Sequence, residues 1–166
     1  MKINISGLMN LISDYDKQLD RLWNFLRSKV YSMSIQELNG TVNVITNAYD
    51  EYQDVLDEYK DKLDKVTQLK TILYEKNNTF KLSDGRTIQT AIIDNSNLRK
   101  LKITYEELLD YNDYKKRITE VNNSYFECNK LNYNKEKIKD ELNTLNDKIQ
   151  KTDFEISLLN SQEFNI

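Results

Sequence analysis

The stretch VNVITNAYDEYQDVLDEYKDKLDKV, residues 42–66, decides the fold reading. Within it Val42, Ile45, Tyr49, Tyr52, Leu56, Tyr59, Leu63 and Val66 recur in alternating steps of three and four. That spacing lays one apolar stripe along a helix, the pattern of helices that pack side by side in heptads. Leu69 and Leu73 prolong the stripe. A helix over about residues 41–77 is therefore expected, roughly 55 Å long at 1.5 Å per residue. One helix of that length cannot bury its own stripe. It needs another long helix, from this chain or from a second copy.

Working outward, Leu8, Ile12, Tyr15, Leu19, Leu22, Trp23, Leu26 and Val30 give the apolar face of a first helix over about 4–29, with Trp23 as the expected packing anchor. Residues 31–40 break the period and end at Gly40, so they read as a connector. After Asn77-Asn78 the segment 79–86 is a loop with Asp84-Gly85 as its turn. A short hairpin of Phe80–Leu82 against Thr87–Gln89 competes there with Thr87 as the cap of the next helix. The cap is preferred. That third helix should run from about Ile88 to Tyr111, with Ile88, Ile92, Leu98, Leu101, Tyr105 and Leu108 on its apolar face. Asn95 falls on or near this seam, where a buried polar group fixes register at some loss of stability.

Residues 113–130 lose the helical period. Arg117–Val121 and Ser124–Cys128 are rich in β-formers and flank Asn122-Asn123, which fits a small hairpin. A fourth helix is expected over about 131–159, with Ile138, Leu142, Leu145, Ile149, Thr152, Ile156 and Leu159 as its seam, followed by fraying ends. The helical segments resemble each other only as heptads do. The expected architecture is a single all-α domain over residues 1–166. Long antiparallel helices form a bundle or coiled coil, with small loops or a short β-hairpin at the tips.

Composition agrees with long helices and narrows the chemistry. The 166 residues include no proline, three glycines, no histidine and one cysteine, with a formal net charge of −3. Without histidine there is no imidazole base, no Ser-His-Asp triad and no histidine metal ligand. Cys128 alone excludes an internal disulfide and a thiolate cage within one chain. The slight acidic excess argues against nonspecific nucleic-acid binding. No apolar run approaches the roughly 18 residues of a membrane span, and the N-terminus makes a poor signal peptide. A cytoplasmic protein with no metal and no cofactor is expected.

The best candidate site is Asp84, Gly85, Arg86 and Thr87. A glycine turn followed by Arg and Thr at a helix start offers backbone N–H groups and a guanidinium to an anion. The same four residues also make a plain turn and helix cap. The carboxylate pairs Asp50-Glu51, Asp57-Glu58, Glu106-Glu107 and Asp140-Glu141 read as solvated helix faces beside lysines such as Lys60 and Lys62. Tyr49, Tyr52, Tyr59 and Tyr105 read as seam residues with hydroxyls at the edge. Cys128 reads as a small buried hydrophobe, and Lys115-Lys116-Arg117 as solvated surface.

Three places resemble the septicolysin-like family, small bacterial helical proteins largely of unknown function. They are the opening Met1-Lys2-Ile3 run into the helix of Leu8, Leu19 and Leu22, the block Leu82–Ile92 around Asp84-Gly85-Arg86-Thr87, and the closing Leu142–Leu159 stretch with Asp147-Lys-Ile-Gln150. The family name points to a cytolysin. Every apolar stripe here is narrow and interrupted by charge, whereas a pore-former shows lipid a continuous apolar face.

No nucleophile–base pair or metal cluster can be written down, so an enzyme is not expected. The first functional reading is a non-enzymatic helical homo-oligomer acting as a scaffold, with the Val42–Val66 seam as its contact and a protein partner. The alternative is an oligomer that binds a small, nucleotide-like anion at Asp84–Thr87. A cytolysin-like toxin follows from the family name alone. Neither nucleic acid nor membrane is an expected partner.

Overall fold

The computed structural model describes residues 2–166. In chain order the elements are β1 (Lys2–Asn4), α1 (Ile5–Ser28), β2 (Met33–Gln36), β3 (Val42–Thr46), α2 (Tyr49–Thr79), α3 (Ile88–Asp110), β4 (Tyr114–Glu120), β5 (Asn123–Asn129), α4 (Lys135–Asn160) and β6 (Glu163–Asn165). The strands form three two-stranded antiparallel sheets, β1–β6, β2–β3 and β4–β5. The all-α expectation therefore does not hold, and the fold mixes helix and sheet. The chain divides into two compact units, residues 2–77 with 160–166, and residues 78–159.

In the first unit the Asn4 side chain accepts a hydrogen bond from the Gly7 N–H at 2.7 Å and caps α1. Ile5, Leu8, Ile12, Leu19 and Leu26 are buried along one stripe of that helix. Fully burying such a side chain is worth about 1.5–3 kcal/mol. Trp23 does not anchor this packing, for it is 51% exposed. It lies about 40° around the helix from Leu19, at the margin of the buried stripe and away from half-buried Leu22 and Phe25. The residues after α4, expected to fray, form β6 instead. Ile3 pairs with Phe164 across β1–β6, and the Lys76 ammonium lies 4.8 Å from the Phe164 ring centre.

The predicted connector and the start of the predicted second helix are instead the β2–β3 hairpin. Thr41, Val42, Val44, Ile45 and Thr46 are β-branched and stiff, so they suit a strand better than a helix. Gly40, at φ +89°, supplies the left-handed turn that any residue with a Cβ resists, and its N–H donates to the Glu37 carbonyl at 2.9 Å. Val42 and Ile45 thus leave the helix altogether. Within α2 the inward stripe is Tyr52, Val55, Tyr59, Lys62, Val66, Leu69 and Leu73, and only Val66 is fully buried. Tyr49 and Leu63 of the expected seam are exposed, while Leu56 is half-buried at its edge. Lys62 takes the place assigned to Leu63. Its ammonium donates to the Gln18 side chain at 2.8 Å and pairs with Glu58 at 3.2 Å, while its stem packs inward.

In the second unit Thr87 caps α3, accepting from the Thr90 N–H at 3.2 Å, and Lys81 and Thr87 meet only as an isolated bridge. The buried stripe of α3 is Ile88, Ala91 and Asn95, continued by half-buried Leu98, Lys102 and Tyr105. Ile92 and Leu101, expected on the seam, are 45% and 40% exposed. On α4 the seven expected seam residues from Ile138 to Leu159 are all turned inward, with Leu145, Ile149 and Thr152 buried. The hairpin at 113–130 forms as β4–β5, with Ile118 opposite Tyr125. Cys128 on β5 is an exposed free thiol rather than a buried hydrophobe.

Candidate functional site

The Asp84–Thr87 loop is a tight turn whose polar groups look inward. Gly85, at φ +86°, donates its N–H to the Leu82 carbonyl at 3.0 Å, and Leu82 donates to the Arg86 carbonyl at 2.8 Å. The Arg86 N–H donates to the Asp84 carboxylate at 3.0 Å, and the Ile88 N–H to the Phe80 carbonyl at 3.1 Å. The Gly85, Arg86 and Ile88 amides are thus already bonded within the protein.

The guanidinium of Arg86 is held from three sides. Its Nε and Nη2 reach Asp84 Oδ2 at 2.8 and 2.7 Å, its Nη1 reaches Asp94 Oδ2 at 2.9 Å, and its Nη2 reaches Thr152 Oγ1 of α4 at 3.3 Å. The hydrogen bonds from Arg86 hold the Asp84 carboxyl below its usual range, and both carboxylates push the Arg86 pKa up. Next to it Ser83 donates its N–H and its hydroxyl to Glu155 of α4, each at 2.8 Å, which lowers the Glu155 pKa. Two carboxylates, Asp84 and Asp94, share the one guanidinium. The arrangement favours the turn-and-cap role, a clamp that fixes the loop to α4.

One turn further along, Asn95 is 1% exposed and donates to the Ile149 carbonyl at 3.3 Å and to Asp153 at 2.9 Å, while Arg99 reaches Asp153 at 2.6 Å. Among the described residues Asn95 Oδ1 has no hydrogen-bond partner. The seam reading of Asn95 holds, and its bonds to α4 fix the register of the helix pair. Beyond lies a shallow open groove lined by Leu98, Leu101, Tyr105, Glu141, Thr144 and Leu145. There the Tyr105 hydroxyl donates to Glu141 at 2.8 Å, which raises the Tyr105 pKa. Among the described residues no group of three or more Cys, Asp or Glu is placed to hold a metal ion. Asp57 and Glu58 pair with Lys60 and Lys62 as read from their spacing.

The feature that sequence reasoning missed is the β2–β3 hairpin. Every residue from Arg27 to Asn47 is exposed. Tyr31 is 88% exposed and Val44 65%, and Met33, Ile35, Leu38, Val42 and Ile45 are exposed as well. Its available signal was the Val42-Asn43-Val44 alternation beside Gly40.

A model of a protein family matches residues 46–158, well over half of the chain. The chain belongs to DUF6847. This is a family of unknown function, and its match carries no septicolysin-like name. The DUF6847 region takes in α2, the Arg86 clamp, β4–β5 and most of α4. It leaves out α1, β2 and all of β3 but Thr46, so the exposed apolar hairpin lies almost wholly outside it. No curated protein and no solved structure matches the chain. Among the described residues no helix is long and apolar enough to cross a membrane.

Proposed function

We propose that this DUF6847 member is a non-enzymatic interaction protein that assembles with further copies of itself in the cytoplasm, through the β2–β3 hairpin. The exposed apolar hairpin carries the reading. Two strands of four and five residues are marginal by themselves in water. Both edges of such a ribbon present unpaired backbone groups, and a contiguous apolar surface marks an interaction site. The register sets Val42 and Val44 on one face and Ile35 on the other, so apolar side chains crowd both sides. A small anion at Arg86 has less support, because Asp84 and Asp94 already occupy the guanidinium.

The test is native mass spectrometry of the full chain beside Ile35→Lys/Val44→Lys. Both side chains are exposed, so the fold should survive the change. The expected result is an oligomer for the parent and a lower mass for the variant, with the helical circular dichroism unchanged. A monomeric parent, or a variant of unchanged mass, overturns the proposal.

A further inference from the structure

We propose that the face of the β4–β5 hairpin carrying Lys115, Arg117 and Phe126 docks on the row of aspartates along α2 of a second copy of this chain. The inference rests on the self-association reading above and adds a second contact surface to it.

The hairpin has two chemically different faces. The register pairs Lys115 with Cys128, Arg117 with Phe126 and Thr119 with Ser124, so these six share one face. Both carboxylates of the strands lie on the other face, Glu127 opposite Lys116 and Glu120 opposite Asn123. Half-buried Ile118 is also on that second face, so the first one looks to solvent. It carries two cations, no acid, and a Phe126 ring that is 65% exposed. Neither Lys115 nor Arg117 has an ion pair among the described residues.

The complementary charge lies on α2. Asp50, Asp54, Asp57, Asp61 and Asp64 follow in steps of four, three, four and three. At about 100° per residue they fall within about 80° of arc, on the side opposite the Tyr52–Leu73 stripe. All five are exposed, and among the described residues only Asp57 has a cation on it, Lys60 at 2.8 Å. Like charges at these spacings weaken a helix, and cations from outside would relieve them. The row is roughly 21 Å long at 1.5 Å per residue. The seven residues of β4 span roughly 23 Å. Lys115 and Arg117, two residues apart on a strand, stand about 7 Å apart, close to the separation of successive aspartates on the helix face. The two surfaces differ, so two copies either exchange the contact reciprocally about a two-fold axis or pass it head to tail into a ring or a filament.

Sedimentation of the full chain tests this with Lys115→Glu/Arg117→Glu, with Asp54→Lys/Asp61→Lys, and with all four changes together. Each two-site reversal should lower the assembled mass at least two-fold, and the four-site chain should restore it. The parent assembly should also loosen as salt rises, a reading that needs no variant to fold. A parent that oligomerises while both reversals and salt leave its mass unchanged overturns this contact and spares the hairpin reading. A monomeric parent removes both. A single-stranded oligonucleotide that binds the parent and is lost with Lys115→Glu/Arg117→Glu overturns it in favour of nucleic acid on the same face.

Discussion

The β2–β3 and β4–β5 hairpins occupy the same place in their units, each between two long helices, yet they are tethered in different ways. At the base of β4–β5 the Leu131 N–H donates to Asp113 at 2.7 Å, the Tyr133 hydroxyl to the Leu108 carbonyl at 2.6 Å, and the Lys135 ammonium to the Tyr111 carbonyl at 2.7 Å. At the base of β2–β3 the Ser32 hydroxyl reaches Asn47 at 3.5 Å and accepts from the Ala48 N–H at 3.3 Å, while Asn47 accepts from the Tyr49 N–H and Thr46 from the Met33 N–H, each at 3.0 Å. The helices follow suit. The second unit is crossed by the Arg86, Ser83–Glu155 and Asn95–Asp153 bonds, whereas the first relies on the apolar stripe of α1 with Lys62 and Lys70 reaching across from α2. The shorter bonds hold the β4–β5 base. The more apolar hairpin is left with exposed side chains on both faces, and that contrast points to it as the surface in search of a partner.

The contrast can be broken most severely by emptying the apolar stripe. Leu8 is fully buried, and Leu8→Ala should cost the first unit about 2–5 kcal/mol. The fluorescence of Trp23, the single tryptophan, reports this unit in a denaturant titration. A shift below about 1 kcal/mol would mean that the α1 stripe is not what holds the unit. In the second unit Arg86→Ala leaves Asp84 and Asp94 without their shared cation. Hydrogen bonds to charged groups put the loss at about 1–3 kcal/mol. Arg86→Lys should recover only part of it, because an ammonium cannot span both carboxylates as the planar fork does. Full recovery by lysine would contradict the clamp.

Acid should separate the units further. The Asp84 and Glu155 pKa values are lowered in the folded chain, so the unfolded chain takes up protons first as pH falls. Their stabilisation is fully present above the ordinary carboxylate range near pH 4 and is lost as pH falls through the lowered folded values. Urea midpoints between pH 7 and 3 should decline less steeply in Asp84→Asn/Glu155→Gln than in the parent. Equal slopes would refute the contribution. The raised Tyr105 pKa acts in the opposite sense, with stabilisation present below about pH 10 and lost as pH rises through the higher folded value. The smallest effect is expected at Lys62→Leu. Its stem already packs inward, and Glu58 can turn back to water, so stability should change by less than about 1 kcal/mol. A larger loss would give the first unit a polar lock like that of the second.

The seam of α4 was legible because it is apolar at every step but Thr152, so pattern and packing coincide. The caps Asn4 and Thr87 were legible for a similar reason, since each stands just before its helix. The α2 and α3 seams were harder to read. Their inward stripes include Lys62 and Lys102, and the apolar neighbours Leu63 and Leu101 drew the pattern one position aside. A lysine stem buries apolar surface that a residue count scores as charge. Val42 and Ile45 misled more deeply, because so short a run holds both a helical step of three, Val42 to Ile45, and a strand step of two, Val42 to Val44. The Asp84–Thr87 turn was legible, but its chemistry depends on Asp94, Thr152 and Glu155, which the sequence alone does not bring to it.

Hydrogen–deuterium exchange of the β2–β3 amides, followed from dilute to concentrated protein, tests the central claim most directly. If a second copy covers the hairpin, the amides of residues 33–46 gain protection as concentration rises, and Ile35→Lys/Val44→Lys abolishes the gain. Exchange that stays fast at every concentration, while the β4–β5 amides and the helices hold their protection, would contradict the account.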